Sequence, residues 1–173
     1  KRTWFDEVGC DGLIALSGAK DGDVGDALLA GNRDLAAARA RTWSAQFPQA
    51  FYLEVQRAGH PQQEQLVSAT ADLGADLELP LVATHPIQFT RPEDFKAHEA
   101  RVCISQGYVL ADKRRPKDFT DQQYFKSQDE MVRLSADLPE AVAHTVEIAR
   151  RCAYRPKKRK PILPRFADDE VEE

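Results

Sequence analysis

Three short apolar runs constrain the fold of this chain more than any other feature of its sequence. They cover residues 12–17, 51–55 and 79–84, and each is bounded by Gly, Pro or polar residues. Apolar runs of this length suit strands that are covered on both faces, as in a parallel sheet. They are too short for buried helices, so the sequence predicts three buried strands.

Helical patterns separate these runs. Asn32 is placed to cap a helix whose apolar face carries Ala36, Ala40, Trp43 and Phe47. Pro61 is placed in the first turn of a second helix, which carries Leu66, Ala69 and Leu73. Strand, helix, strand, helix and strand therefore fill residues 12–84, which predicts an α/β domain, layered or barrel-shaped, with right-handed crossovers.

Beyond residue 89 the sequence carries helix start signals without further apolar runs. Three pairs have the spacing of a capping box: Thr90 with Glu93, Thr120 with Gln123, and Ser127 with Glu130. Pro139 is predicted to open a last helix with an apolar stripe made of Val142, Val146 and Ala149. No internal repeat is visible, which argues against a solenoid.

Composition excludes several classes of protein. The 173 residues are 42% apolar and 30% charged, as in an ordinary globular domain. The net charge of −4 argues against a surface that coats nucleic acid. No stretch of about 18 apolar residues occurs, so no transmembrane helix is expected. The three cysteines are odd in number and far apart, which predicts a reduced, cytoplasmic protein.

Glu54 and His85 are the first candidates for chemistry, because ligands of α/β domains collect where strands end. Glu54 is the charge inside the second apolar run, and His85 follows the third. With His60 they offer a three-ligand metal site. The alternative interpretation pairs Glu54 with a nearby Arg or Lys. His98 is expected to be a partly buried structural residue and His144 a surface or packing residue, and Cys103 and Cys152 are expected to pack within helices.

Two basic clusters are candidates for contacts with a DNA backbone. The first contains Lys113, Arg114, Arg115 and Lys117, and the second covers residues 155–160. Lys and Arg are the side chains that neutralise phosphates. The alternative for each cluster is a solvated loop, because few aromatic side chains accompany the basic residues.

Taken together, an ordered series of segments is similar to one family of proteins. The series consists of residues 12–18, 25–32, Phe51-Tyr52-Leu53-Glu54-Val55-Gln56-Arg57, residues 81–84, 94–101, 124–127, 138–141 and 146–152. Their order and spacing resemble the alpha subunits of bacterial replicative DNA polymerase III. The resemblance covers nearly the whole chain, and it is the series rather than any one segment that is specific.

The resemblance implies a fold and a domain arrangement. Residues 1–154 would form the C-terminal part of a distorted (β/α)7 barrel, the PHP (polymerase and histidinol phosphatase) domain, with additional C-terminal helices. Residues 155–173 would form a linker into the start of the polymerase palm, near residues 161–166. Half a barrel leaves a strand edge without a partner, so we expect the isolated chain to associate.

The resemblance also implies a function. The complete subunit would be a cytoplasmic DNA-directed DNA polymerase that binds DNA and uses magnesium in its palm, outside this chain. Members with a metal-loaded PHP site carry ligands at positions that align with Ala19, Ala58, Pro86 and Gln88. Ala and Pro offer no ligand atom and Gln is a weak one, so no metal or catalytic residue is expected in this chain.

A role as a scaffold follows from this loss. Branches of the family with an eroded site receive proofreading from a separate exonuclease subunit, epsilon, bound to the PHP domain. The resemblance therefore implies that this segment supports the polymerase core and docks epsilon. The alternative is a surviving metal-dependent phosphoesterase or 3'-5' exonuclease that uses Glu54 and His85 with His60. A second alternative is a duplex-binding module built on the two basic clusters.

Overall fold

A three-stranded parallel sheet forms the centre of the protein. The structure, a computed structural model, describes residue 5 and residues 9–161. The strands are β1 (Ala15–Leu16), β2 (Phe51–Gln56) and β3 (Leu81–Thr84), and they lie side by side in chain order. Ala15 is in register with Phe51, and Leu53 is in register with Leu81. The three predicted strands are confirmed, although β1 is much shorter than its apolar run.

Helices fill the connections and follow the sheet. In the described residues they are α1 (Asp23–Leu29), α2 (Arg33–Gln46), α3 (Gln63–Leu77), α4 (Phe95–Gln106), α5 (Gln128–Leu134) and α6 (Pro139–Arg151). Short 3-10 turns cover Ala19–Asp21 and Pro92–Asp94. The predicted α/β class is confirmed. None of these helices combines the length and the apolar character needed to cross a bilayer.

Three of the predicted helix starts are confirmed. Asn32 accepts a hydrogen bond from the backbone N–H of Leu35 at 3.1 Å, as an N-cap does. Ser127 and Glu130 form a reciprocal capping box at the start of α5. Pro139 is the first residue of α6, where its missing N–H costs no helical hydrogen bond.

Other start signals act differently from the prediction. Helix α3 begins at Gln63, two residues beyond Pro61. At the predicted capping box of Thr90 and Glu93, it is the neighbouring Asp94 that accepts a hydrogen bond from a backbone N–H, that of Arg91 at 3.0 Å. Thr120 and Gln123 do share a hydrogen bond of 2.9 Å, but no helix follows them. A capping pattern therefore satisfies backbone groups in a turn as well as at a helix end.

Helix α6 presents a different face to the protein from the one its pattern predicted. Val146 and Ala149 are exposed, and Val142 is only partly buried. The residue that is fully buried is Ala141, which joins a cluster with Val55 and Ala83. The predicted apolar stripe is therefore not the buried face of α6, and of its three residues only Val142 packs against this cluster.

The main core lies between the sheet and helices α1–α3. Leu53 has no exposed surface, and Leu73 of α3 and Val24 of α1 are each 1% exposed. The apolar face predicted for α2 packs into the same cluster, which contains Ala36, Ala40 and Phe47, with Trp43 against it. Burial of these side chains supplies the main driving force for folding.

Helix α6 covers the outer edge of β3. The Leu53 N–H donates to the Pro80 carbonyl, so the Leu81 carbonyl points away from β2. His144 donates from Nδ1 to that carbonyl at 2.6 Å. Its ring also lies 5.8 Å from the Tyr52 ring. The prediction that His144 is a packing residue is confirmed, and its contact seals one edge of the sheet.

The opposite edge, at β1, has no strand beside it among the described residues. Ala15 and Ser17 donate their N–H groups towards β2, to the carbonyls of Ala50 and Tyr52, so the backbone groups of Leu16 point outward. Leu13 and Leu16 are 46% and 41% exposed. They line a groove of about 580 Å³ whose other walls include Ile14, Trp43, Phe47 and Phe51. This edge combines free backbone groups with apolar surface.

The region after α6 lacks regular structure as far as it is described. Residues 155–161 are exposed and form neither helix nor strand. The predicted start of the palm, residues 161–166, lies outside the described residues except for Pro161.

We expect the contribution of Glu130 to the stability of the fold to disappear at acidic pH. The Tyr124 hydroxyl, followed by the Ser127 donors, holds the pKa of Glu130 at about 2. A carboxyl whose pKa is lowered by folding stabilises the protein above its unfolded pKa of about 4.3, and the contribution disappears as the pH falls towards 2. The difference in melting temperature between wild type and E130Q should therefore shrink over that interval. A constant difference down to pH 2 would contradict this assignment.

We also expect the isolated chain to associate through the β1 edge. An unpaired strand flanked by apolar side chains is a template for pairing. Leu16→Lys places a charge on this edge and should shift the sedimentation coefficient towards the monomer value. Leu35→Lys, at an exposed position on α2, is the matched control and should leave association unchanged. A wild-type chain that sediments only as a monomer would show that the β1 edge does not mediate association.

Candidate functional site at the carboxyl edge of the sheet

Glu54 joins the ends of all three strands. Its Oε2 accepts from the Gly18 N–H at 3.0 Å, just beyond β1. Its Oε1 accepts from Gln56 at 2.9 Å and from the Thr84 hydroxyl at the end of β3. The Glu54 N–H in turn donates to the Ser17 hydroxyl at 2.8 Å. One side chain therefore connects β1, β2 and β3 through hydrogen bonds.

The donors around Glu54 are neutral. The alternative interpretation, a pair with Arg or Lys, is wrong, because no ion pair of Glu54 is found among the described residues. A carboxylate has about four acceptor positions. Three of them are occupied here by Gly18, Gln56 and Thr84. Little of the carboxylate is left to bind an additional ligand.

His85 lies close to this site, in the segment that follows β3. Its Nε2 donates to the Gln122 carbonyl at 2.8 Å, and its Nδ1 is enclosed without a partner in the described part of the chain. Burial lowers the pKa of the His85 imidazole, and hydrogen bonds to backbone carbonyls only partly offset the effect. The hydrogen bond to the Gln122 carbonyl requires a hydrogen on Nε2.

His60 occupies the loop that follows β2. Burial lowers the pKa of His60, and the nearby Lys20 charge lowers it further. Glu54, His60 and His85 do not assemble into a metal-ligand cluster, since no group of three or more His, Cys, Asp and Glu side chains with that arrangement occurs in residues 9–161. The structure brings these three residues to one edge of the sheet without converging them.

The four positions at which the resemblance implies lost metal ligands also lie at this edge. Ala19 and Ala58 are buried, at 5% and 0% exposure. The Ala58 N–H donates to the Gln63 side chain at 2.6 Å. Pro86 offers its carbonyl to Gln123, and the Gln88 side chain is exposed. Two methyl groups, a proline ring and an exposed amide do not fit a metal ion.

A partly buried arginine next to this edge was not predicted from the sequence. Arg57, 15% exposed, binds Asp137 with two hydrogen bonds of 2.6 and 2.8 Å. It also contacts Glu64 at 3.0 Å and the Leu134 carbonyl at 2.9 Å. The Asp137 carboxylate, the largest influence, raises the pKa of Arg57. Arg57 therefore connects the end of β2 to α3 and to the turn between α5 and α6.

The first basic cluster is divided by its ion pairs. Arg115 binds Glu99 at 2.6 Å and is only 15% exposed, so Glu99 compensates its charge within the chain. Arg114 pairs with Asp112 at 2.9 Å but is 86% exposed. Lys113 and Lys117 are exposed. Contacts of this cluster with DNA stay a prediction, and the structure leaves Lys113, Arg114 and Lys117 accessible for them.

The remaining predictions concern His98 and two cysteines. His98 is 6% exposed and lies 5.5 Å from the Phe89 ring and 4.7 Å from the Phe119 ring. Its predicted packing role is confirmed, and burial lowers its pKa. Cys103 is buried as predicted, whereas Cys152 is exposed at the end of α6, so the packing prediction for Cys152 was wrong.

Comparison with known proteins identifies close relatives. The chain is 48% identical over 166 residues to the DNA polymerase III subunit alpha of Pseudomonas fluorescens. It is 51% identical over 164 residues to that of Neisseria meningitidis, and 42% identical over 165 residues to that of Escherichia coli K12. No family model matches the chain.

These alignments cover nearly all of this chain but a small share of each relative. They include 94–96% of the chain and 14% of each relative's length. The family predicted from the ordered series of segments is thus confirmed. The chain is homologous to one segment of the DNA polymerase III alpha subunits.

Proposed function

We propose that this chain is a metal-free structural segment of a bacterial replicative DNA polymerase. It forms the C-terminal part of the PHP barrel with additional C-terminal helices, supports the polymerase core and docks the exonuclease subunit epsilon. The complete subunit is a cytoplasmic DNA-directed DNA polymerase that binds DNA and uses magnesium in its palm. The names of the relatives support the role in replication.

The arrangement of Glu54 carries this proposal. Its carboxylate is committed to Gly18, Gln56 and Thr84, which belong to three different strand ends. Ala19 and Ala58 place methyl groups where a metal site would need ligand atoms. A carboxylate used as a tie between strands supports a structural role for the edge at which catalytic residues of α/β barrels normally lie.

The β1 edge supports the view that the sheet is part of a larger barrel. Its apolar groove of about 580 Å³ and the exposed Leu13 and Leu16 are features of a surface that another strand covers. The β3 edge differs, because His144 of α6 binds its outward carbonyl. The rest of the subunit would therefore complete the barrel at β1.

Metal analysis of the full-length subunit separates the proposal from the phosphoesterase alternative. We expect far less than one zinc or manganese ion per chain at this segment, with the same content in wild type and E54Q. Stoichiometric metal that is lost in E54Q, together with nuclease activity abolished by a chelator, would establish Glu54, His60 and His85 as a metal centre instead.

The same variant tests whether the hydrogen bonds of Glu54 to the three strand ends stabilise the fold. The amide that E54Q introduces has one acceptor oxygen and one donor nitrogen, so one neighbouring donor loses its partner. We expect E54Q to lower the free energy of unfolding by about 1–3 kcal/mol, measured by chemical denaturation. E93Q, at an exposed glutamate, is the control and should be neutral. Equal free energies of unfolding for E54Q and E93Q would show that the hydrogen bonds of Glu54 do not stabilise the fold.

Docking of the exonuclease subunit can be mapped by hydrogen exchange. Full-length alpha subunit is compared with and without epsilon, and peptides from residues 9–161 are monitored. We expect slower exchange in a contiguous surface of this segment when epsilon is bound, because an interface excludes solvent from backbone amides. Protection confined to other parts of the subunit would place epsilon elsewhere and leave only the structural role.

A further inference from the structure

Residues 120–125 run across the loops that follow β2 and β3, and we call them the strap. The Thr120 hydroxyl donates to the Ala58 carbonyl, beyond the end of β2. The Gln122 carbonyl accepts from His85, beyond the end of β3, at 2.8 Å. The strap therefore contacts the carboxyl edge at both strands.

Gln123 is the most deeply buried residue of the strap, at 3% exposure. Its side chain donates to the Pro86 carbonyl at 3.0 Å and accepts from the Thr120 N–H at 2.9 Å. Its backbone carbonyl accepts from the Gln88 N–H at 2.8 Å. A buried amide with both ends bonded fixes the strap in one position.

We propose that the strap is a closure built into the fold, which seals the carboxyl edge of β2 and β3 and opens as a unit without unfolding the sheet. The contacts that hold it are polar. Neither hydrophobic cluster among the described residues includes a strap residue, and Phe125 is 65% exposed. Opening breaks hydrogen bonds but leaves the main core intact, which is the property of a low-stability local unit.

The closure covers positions at which the chain differs from metal-loaded sites. Ala58, Pro86 and Gln88 are each bonded through backbone atoms to Thr120 or Gln123. Their neighbour His85 has its Nδ1 enclosed without a partner in the described residues. A ligand or protein that binds the backbone of Ala58, Pro86 or Gln88 must displace the strap, so the strap controls access to these positions. The inference concerns contacts within the chain and does not require the proposed function.

Two adjacent glutamines provide a matched test in the full-length subunit. Gln123→Ala removes the buried amide, whereas Gln122→Ala removes an exposed side chain and keeps the backbone carbonyl that binds His85. Hydrogen exchange is followed in peptides that cover residues 84–90, 119–126 and 51–56. We expect Q123A to accelerate exchange in the first two by about tenfold or more, as the loss of buried hydrogen bonds predicts. Exchange in residues 51–56 should stay unchanged, and Q122A should resemble wild type.

Each other outcome overturns the proposal. Equal acceleration in residues 51–56 would show that the strap unfolds only with the whole domain, and unchanged exchange in Q123A would show that it is not a closure. T120V removes only the hydroxyl bonded to Ala58 and repeats the test without altering Gln123. T120S keeps a hydroxyl and should restore slow exchange. Acceleration in T120S equal to that in T120V would also count against the strap.

Discussion

The carboxylate of Glu54 is the interaction on which the sheet depends. A charge within a buried strand must be compensated, because removing it from water without partners is costly. Here the compensation comes from Gly18, Gln56 and Thr84, so the three strand ends must meet for the carboxylate to be satisfied. The short strand β1, with two residues, gains an attachment that its own ladder could not supply.

The parts of the fold that the sequence predicted are those set by local patterns. Apolar runs and caps at Asn32, Ser127 and Pro139 depend on neighbouring residues, and they marked the strands and three helix starts correctly. The stripe predicted on α6 is not its buried face, because the face that a helix buries depends on the element against which it packs, and here Ala141 meets Val55 and Ala83. The residue pattern of α6 alone does not show which element the helix packs against.

The sequence predicted which residues lie at the candidate site but not which residues they bind. Glu54 and His85 were found because charge and imidazole stand out beside apolar runs, and both lie at the carboxyl edge. Two of the three neutral donors of Glu54 come from positions 30 and 36 residues away, and Arg57 meets Asp137 across 80 residues. Hydrogen bonds between such distant residues leave no periodicity in a sequence, so only the structure reveals them.

The two edges of the sheet differ in how they are covered. His144, Tyr52 and Glu147 attach α6 to the β3 side, and the Tyr52 hydroxyl donates to Glu147 at 2.9 Å. The β1 side keeps outward backbone groups beside the exposed Leu13 and Leu16. Unpaired edges of natural sheets are normally protected by charge, brevity or a covering element. Within the described residues brevity is the protection that β1 has, and the apolar groove next to it works against that protection. Of the two edges, β1 is therefore the one at which an additional strand would gain both hydrogen bonds and apolar burial.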